Sequence, residues 1–165
     1  MRFVRLISLA LATLPAAAAS EVSQGEPAAN QPRAGLYRTA LQLIEFEVPG
    51  ASEDQTRSMR EAFAEDLASG NDFCLAPDPA GAALDRELLE RIAEGECTFG
   101  RFDRSGAAIR TVMLCTRDTT VGSQVTMDGR IWSENADLDM ILEQELETGV
   151  TRIRARAQSA RVGDC

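Results

Sequence analysis

Apolar and polar positions alternate along most of this chain with the two-residue period of half-buried strands, and only two stretches switch to the helical period. Tyr37, Thr39, Leu41 and Leu43 alternate with Arg38, Ala40, Gln42 and Ile44, a strand pattern closed by Pro49-Gly50. Ser52-Glu53-Asp54-Gln55 then forms a capping box with acids in the first turn. Met59, Phe63 and Leu67 follow at i, i+4 and i+8, and Ser69-Gly70-Asn71 ends this first helix. The stripe is narrow, which places the helix on the domain rather than inside it. A second helix is expected from Ala82 to Glu94, with Leu84, Leu88 and Ile92 buried and Gly95 as its C-terminal cap.

Beyond Gly95 the chain reads as strands and turns. Residues 97–102 and 107–115 flank Asp103-Arg104-Ser105-Gly106, a hairpin turn sequence. A two-residue Ser105-Gly106 loop sets Cys97 opposite Leu114. One extra residue, in the loop or as a bulge, sets Cys97 opposite Cys115 and Phe99 opposite Met113. The second register is preferred because it gathers both cysteines and both apolar side chains on one face. Between Val121 and Ser133, Asp128-Gly129 could be a turn. The preferred alternative runs a strand through Gly129 toward Trp132 and turns at residues 134–137. For the last hairpin, a Thr148-Gly149 turn pairs Glu145 with Arg152 and Glu143 with Arg154 on one face. Leu142 with Ala155 and Met140 with Ala157 then line the other. Opposed acids make the row Arg152, Arg154, Arg156 a solvated paired face rather than an anion site.

The first twenty residues change the picture of where the protein works. Arg2 and Arg5 precede a short apolar run from Leu6 to Leu14, and Pro15 and four alanines lead to cleavage after Ala19 or Ser20. The run is shorter than the ~20 residues a spanning helix needs. The expected organisation is a signal peptide over 1–20, a flexible lead-in over 21–34 and one domain over 35–165. The chain is then periplasmic or secreted, with no membrane insertion after cleavage. Without the signal, 15 Arg stand against 26 Asp and Glu, a net charge of −11. That balance disfavours nucleic acid and anionic membrane surfaces as partners. The chain has no Lys and no His, which excludes Ser-His-Asp and Cys-His catalysis, His-ligated metals, Schiff-base lysines and a P-loop lysine.

Several short motifs fall in a recognisable order. They are Gly35-Leu36-Tyr37, Cys74-Leu75-Ala76-Pro77, Cys97 through Ser105-Gly106 to Cys115, and Arg161-Val162-Gly163-Asp164-Cys165. In that order and spacing the chain resembles a family of exported bacterial proteins catalogued as domain of unknown function 3617. Two features depart from the family pattern: Tyr37 stands where Trp is more usual, and residues 52–70 are strongly acidic. The resemblance implies fold and export and brings no activity, substrate or cofactor.

Four cysteines, Cys74, Cys97, Cys115 and Cys165, read in an exported chain as a disulfide framework. Gaps of 22, 17 and 49 residues lack the short ligand pairs of a zinc site. Of three connectivities, Cys97 with Cys115 across the hairpin is favoured, which leaves Cys74 with Cys165. Asn135-x-Asp137-x-Asp139 imitates the start of a calcium loop, yet Met140 and Leu146 stand where Gly and Glu belong. Glu87, Glu90, Glu94 and Glu96 read as a solvated face, with Arg86–Glu90 and Glu87–Arg91 as i, i+4 pairs. Phe99, Phe102, Met113 and Trp132 are the residues able to line an apolar pocket, or else to fill a core.

The fold class expected is α+β: a curved or partly closed, meander-like antiparallel sheet of five to seven strands, two helices packed on it, and disulfide staples. The function expected is non-catalytic binding of an apolar small molecule or an envelope component, with no cofactor and no metal. A purely structural or stress-related periplasmic domain is the alternative, and a carboxylate-based hydrolase comes third.

Overall fold

The computed structural model describes residues 30–77, 84–117 and 121–165. These form β1 (Gly35–Glu47), α1 (Glu53–Ala68), β2 (Asn71–Leu75), α2 (Leu84–Ala93), β3 (Glu96–Ser105), β4 (Ala108–Arg117), β5 (Val121–Ile131), β6 (Asn135–Leu146) and β7 (Gly149–Gly163). The signal segment and residues 21–29 of the expected lead-in lie outside the described residues. All seven strands join one antiparallel sheet in the order β2-β1-β7-β6-β5-β4-β3, curled into a half-barrel. Strands β3 to β7 meander, and β7 returns beside β1. The α+β class holds, at the upper end of the expected strand number.

Alternation decides which side of each strand is buried. Tyr37, Leu41, Val125, Met127, Met113, Ile109, Leu138, Ala155 and Ala157 share the buried face and make one core. Burying one large apolar side chain stabilises by ~1.5–3 kcal/mol, so this face holds the sheet in its curl. Thr39 and Ser159 also lie on it, and the Thr39 hydroxyl donates to Ser159 Oγ at 2.8 Å. The outer face carries ion pairs between neighbouring strands, among them Arg38–Asp72, Arg110–Asp128 and Arg156–Asp137.

The capping box at the start of α1 forms as expected: the Gln55 amide donates to Ser52 Oγ, and the Ser52 amide to Gln55 Oε1. No residue of α1 is fully buried; Phe63 packs on Phe46 of β1 with ring centroids 5.7 Å apart. Gly70 ends the helix at φ +69, where a Cβ would sit 2.8 Å from the Thr39 carbonyl oxygen. In α2 the buried residues are Asp85, Leu88, Leu89 and Ile92, and Leu84 is only half-buried. The left-handed residue after α2 is Glu94 (φ 53), not Gly95. Gly95 itself is not left-handed, and a side-chain carbon there would make only ordinary contacts. A Cβ there would meet the Thr116 carbonyl oxygen at 3.4 Å and Cys115 Cβ at 3.5 Å.

The β3–β4 hairpin sets Cys97 opposite Cys115 and Phe99 opposite Met113, through a bulge between Phe99 and Arg101. Of the two routes to this register the bulge is the one used, and the two-residue turn is Gly106-Ala107, one residue beyond Ser105-Gly106, because Ser105 pairs with Ala108. The Thr111 hydroxyl donates to the Arg101 carbonyl beside the bulge at 2.7 Å. Strand β5 runs unbroken through Gly129, as preferred, and the following turn falls at residues 132–134.

The last hairpin corrects the sequence reading. Glu143 pairs with Arg152, Leu142 with Ile153 and Met140 with Ala155, two residues away from the expected register. A two-residue slip leaves every side chain on its own face, so the apolar pattern excludes a slip of one and is blind to a slip of two. The turn is Glu147-Thr148, and Gly149 takes φ +126 immediately after it. The arginine row still meets acids. Arg156 lies 2.6 Å from Asp137, Arg154 lies 3.6 Å from both Asp139 and Glu45, and Arg152 lies 3.7 Å from Glu143.

Candidate functional site

A half-barrel has two strand edges left over, here β2 on one side and β3 on the other. Helix α2 packs against both and bridges the seam between them. Leu88, Leu89 and Ile92, at most 2% exposed, fasten the helix down. At its N-terminal end Asp85 forms a buried ion pair with Arg104 of β3. Burial holds the Arg104 guanidinium below its usual value. Its Nη2 also donates to the carbonyl of Asn30, which ties the incoming chain to the same spot.

Along the other end of α2 the seam opens into a cleft of about 1150 Å³. One wall is the backbone run Gly70-Asn71-Asp72-Phe73 leading along β2. The floor side is Glu87, Glu90, Arg91 and Glu94 of α2, and the far wall is Gly95, Glu96 and Thr116. Five carboxylates therefore line the cleft, with Arg91 as the cation among the lining residues. Arg91 pairs with Glu87 at 3.8 Å. Asp72 receives two hydrogen bonds from Arg38, at 2.9 and 2.8 Å, which hold its carboxyl below the usual range. Glu90 moves the other way. Burial raises it first and the neighbouring Glu87 charge second, against the opposing pull of Arg91. The lining carboxylates give the cleft an acidic character beside the edge strand β2. Among the described residues, no group of three or more His, Cys, Asp or Glu is placed to hold a metal ion.

The residues singled out for an apolar pocket distribute as follows. The bulge at Gly100 turns Phe99 and Phe102 onto the same face of β3, where their rings meet edge to face at 5.8 Å. Both are half-buried, and the Arg86 guanidinium of α2 stacks over them at 5.1 and 5.0 Å. Arg86 thus covers rings rather than pairing with Glu90. Met113 is fully buried in the core beside them. Trp132 is apart from this group, in the β5–β6 turn, where its amide donates to the Asn135 carbonyl. The four cysteines form Cys97–Cys115 and Cys74–Cys165, and among the described residues no cysteine is free. Asn135, Asp137 and Asp139 belong to β6.

Two features escaped the sequence reading. One is β2, whose signal is the short alternation of exposed Asp72 and Cys74 with buried Phe73 and Leu75. The other is a cluster at the end of the sheet in which the short motifs meet. Gly35 pairs with Leu75, Leu36 lies between Cys74 and Gly163, and Tyr37 pairs with Phe73 and Arg161. A Cβ on Gly35 would fall 2.4 Å from Arg161 Nε and 2.5 Å from the Gly163 carbonyl oxygen. The Tyr37 hydroxyl donates toward the carbonyls of Arg33, at 2.8 Å, and Ser133, at 3.3 Å. The Arg33 amide donates to the Ser133 carbonyl, and Arg161 Nε to Ala34. The chain is thus tied down from Asn30, ahead of β1.

Compared with known proteins, residues 32–165 match the family model described as protein of unknown function (DUF3617), and the chain belongs to that family. No curated protein and no solved structure matches it. The two disulfides fit a compartment outside the reducing cytoplasm. No helix among the described residues is long and apolar enough to cross a membrane.

Proposed function

We propose that this member of the family is an exported, non-catalytic binding domain whose seam cleft takes an extended, positively charged polypeptide segment of another envelope component. The observation that carries this reading is the acid-lined cleft between the two strand edges. A strand edge offers backbone donors and acceptors to an extended segment, and alternate side chains then enter the flanking walls. Five carboxylates set the sign of the segment that approaches. The chain's residue types favour binding over catalysis: it has no His or Lys, and its described thiols are in disulfides. The export-type N-terminus supports an envelope setting.

Calorimetric titration with extended peptides of basic, neutral and acidic composition tests the reading. The basic peptide should bind and weaken with added salt, and Glu87→Gln/Glu90→Gln/Glu96→Gln should weaken it further. Equal binding of all three peptides, or of none, overturns it.

The half-buried Phe99–Phe102 pair under Arg86 favours a second reading, an apolar small molecule as ligand. Organic extraction of protein purified from cells, followed by mass spectrometry, tests that one; an empty extract counts against it.

A further inference from the structure

The two disulfides differ in exposure and in what they join. Cys97–Cys115 links directly opposed residues of neighbouring strands; Cys115 is 6% exposed and Cys97 half-buried. Cys74–Cys165 has both residues exposed. It also spans a strand: Leu36 of β1 has Cys74 as its partner on one side and Gly163 on the other, so the bridge crosses β1 from β2 to the end of β7. Strand β2 is five residues long, pairs with β1 alone and forms the free edge of the sheet.

We propose that Cys74–Cys165 is a site of thiol–disulfide exchange with an exposed dithiol, small or borne by another protein, whereas Cys97–Cys115 is a permanent staple. Exchange requires a thiolate to reach a sulfur in line with the existing bond, and the pair with both residues exposed offers that approach more openly than half-buried Cys97 with buried Cys115. A thiolate of the dithiol attacks Cys165 Sγ. The Cys74–Cys165 bond breaks as the mixed disulfide forms, and Cys74 leaves as a thiolate that takes a proton. The second thiol of the dithiol then attacks the sulfur of the mixed disulfide and releases Cys165. The dithiol is oxidised to its disulfide, and two electrons and two protons end on Cys74 and Cys165.

Opening the bridge leaves β2 held by five pairs with β1, the Arg38–Asp72 ion pair, helix α2 and the packing of Phe73 and Leu75, so the strand stays in place while its Cys74 end loosens and the meander stays closed. Because β2 is one wall of the seam cleft, the exchange state also sets that wall. This last consequence rests on the function proposed above, but the exchange itself does not, so the two can fail separately.

The test uses the full oxidised chain, graded dithiothreitol, an N-ethylmaleimide quench and peptide mapping. Cys74 and Cys165 should be labelled about tenfold faster than Cys97 and Cys115, or more. Hydrogen exchange should rise in β2 and stay constant in β4 and β5. Labelling of all four cysteines at one pace, or unchanged exchange in β2, overturns the proposal. The variant Cys74→Ser/Cys165→Ser gives a second arm. It should fold, keep Cys97–Cys115 and show the same loosened β2; failure to fold would assign the bridge a structural role and sink the exchange site.

Discussion

At the scale of single residues, two positions report most directly on the packing. Tyr37 is the one tyrosine in the chain, and it is buried with its hydroxyl on backbone carbonyls. Burial, the largest effect, raises its pKa above the ordinary phenol value of 10.0. The unfolded chain then ionises first as pH rises, so this stabilising contribution is complete below about pH 10 and is lost as pH climbs through the folded value. Tyrosinate absorbance of the native protein should therefore titrate late, together with alkaline unfolding. A free-phenol midpoint in the folded protein would contradict the burial. Gly129 tests the sheet in another way. A Cβ there would lie 2.2 Å from the Asp137 carbonyl oxygen and 2.8 Å from Leu138 Cα, both backbone atoms of β6. Gly129→Ala must push two paired strands apart, at a cost of about 1–3 kcal/mol. Gly122 on the same strand has open space around its would-be Cβ, so Gly122→Ala serves as the control. Urea midpoints should fall for the first and hold for the second.

At the scale of elements, what was legible and what was not divide along one physical line. Periodicity and capping are local, and they marked α1 through Ser52 and Gln55, β1 through Tyr37 to Leu43, and the Cys97–Cys115 register through shared faces. Register in the last hairpin is a sum over both strands, and a slip of two residues preserves every face. The side-chain pattern of 140–157 could not separate Glu145 opposite Arg152 from Glu143 opposite Arg152. The cleft was illegible for a different reason. Asp72 and Glu96 belong to strands at opposite ends of the sheet order, and only the curl and α2 bring them into one site. The observed register makes its own prediction. Arg156 donates twice to Asp137, at 2.8 and 2.6 Å, and holds its carboxyl below the usual range; in the expected register Arg156 would face Ile141 instead. Carboxyl titration by nuclear magnetic resonance should find Asp137 depressed in the native chain and raised in Arg156→Gln, where the weaker hydrogen bond from Gln158 still acts. With a depressed folded value, the pair's stabilisation is present above about pH 4 and disappears as pH falls through that folded value. The pair is half-exposed, so solvent screening should keep that loss small.

At the scale of the whole molecule, the problem this chain solves is an open sheet with two edges. Unpaired edges invite other strands, and each is secured here by a covalent bridge: Cys74–Cys165 at the β2 side and Cys97–Cys115 at the β3 side. On the chain-entropy account the bridges contribute roughly 4–5 and 3 kcal/mol. Neither bridge joins the two edges to each other, and that task falls to α2. Its Leu88 and Leu89 are fully buried, and the helix contacts β2 and β3, which stand six positions apart in the sheet order. Leu88→Ala should cost about 2–5 kcal/mol through lost burial and a residual cavity. If α2 only decorated one edge, hydrogen exchange would rise on that edge alone. As the keystone of the seam, its weakening should raise exchange in β2 and β3 together while β6 and β7, paired on both sides, stay protected. A rise confined to either edge strand would separate the helix from the closure of the half-barrel.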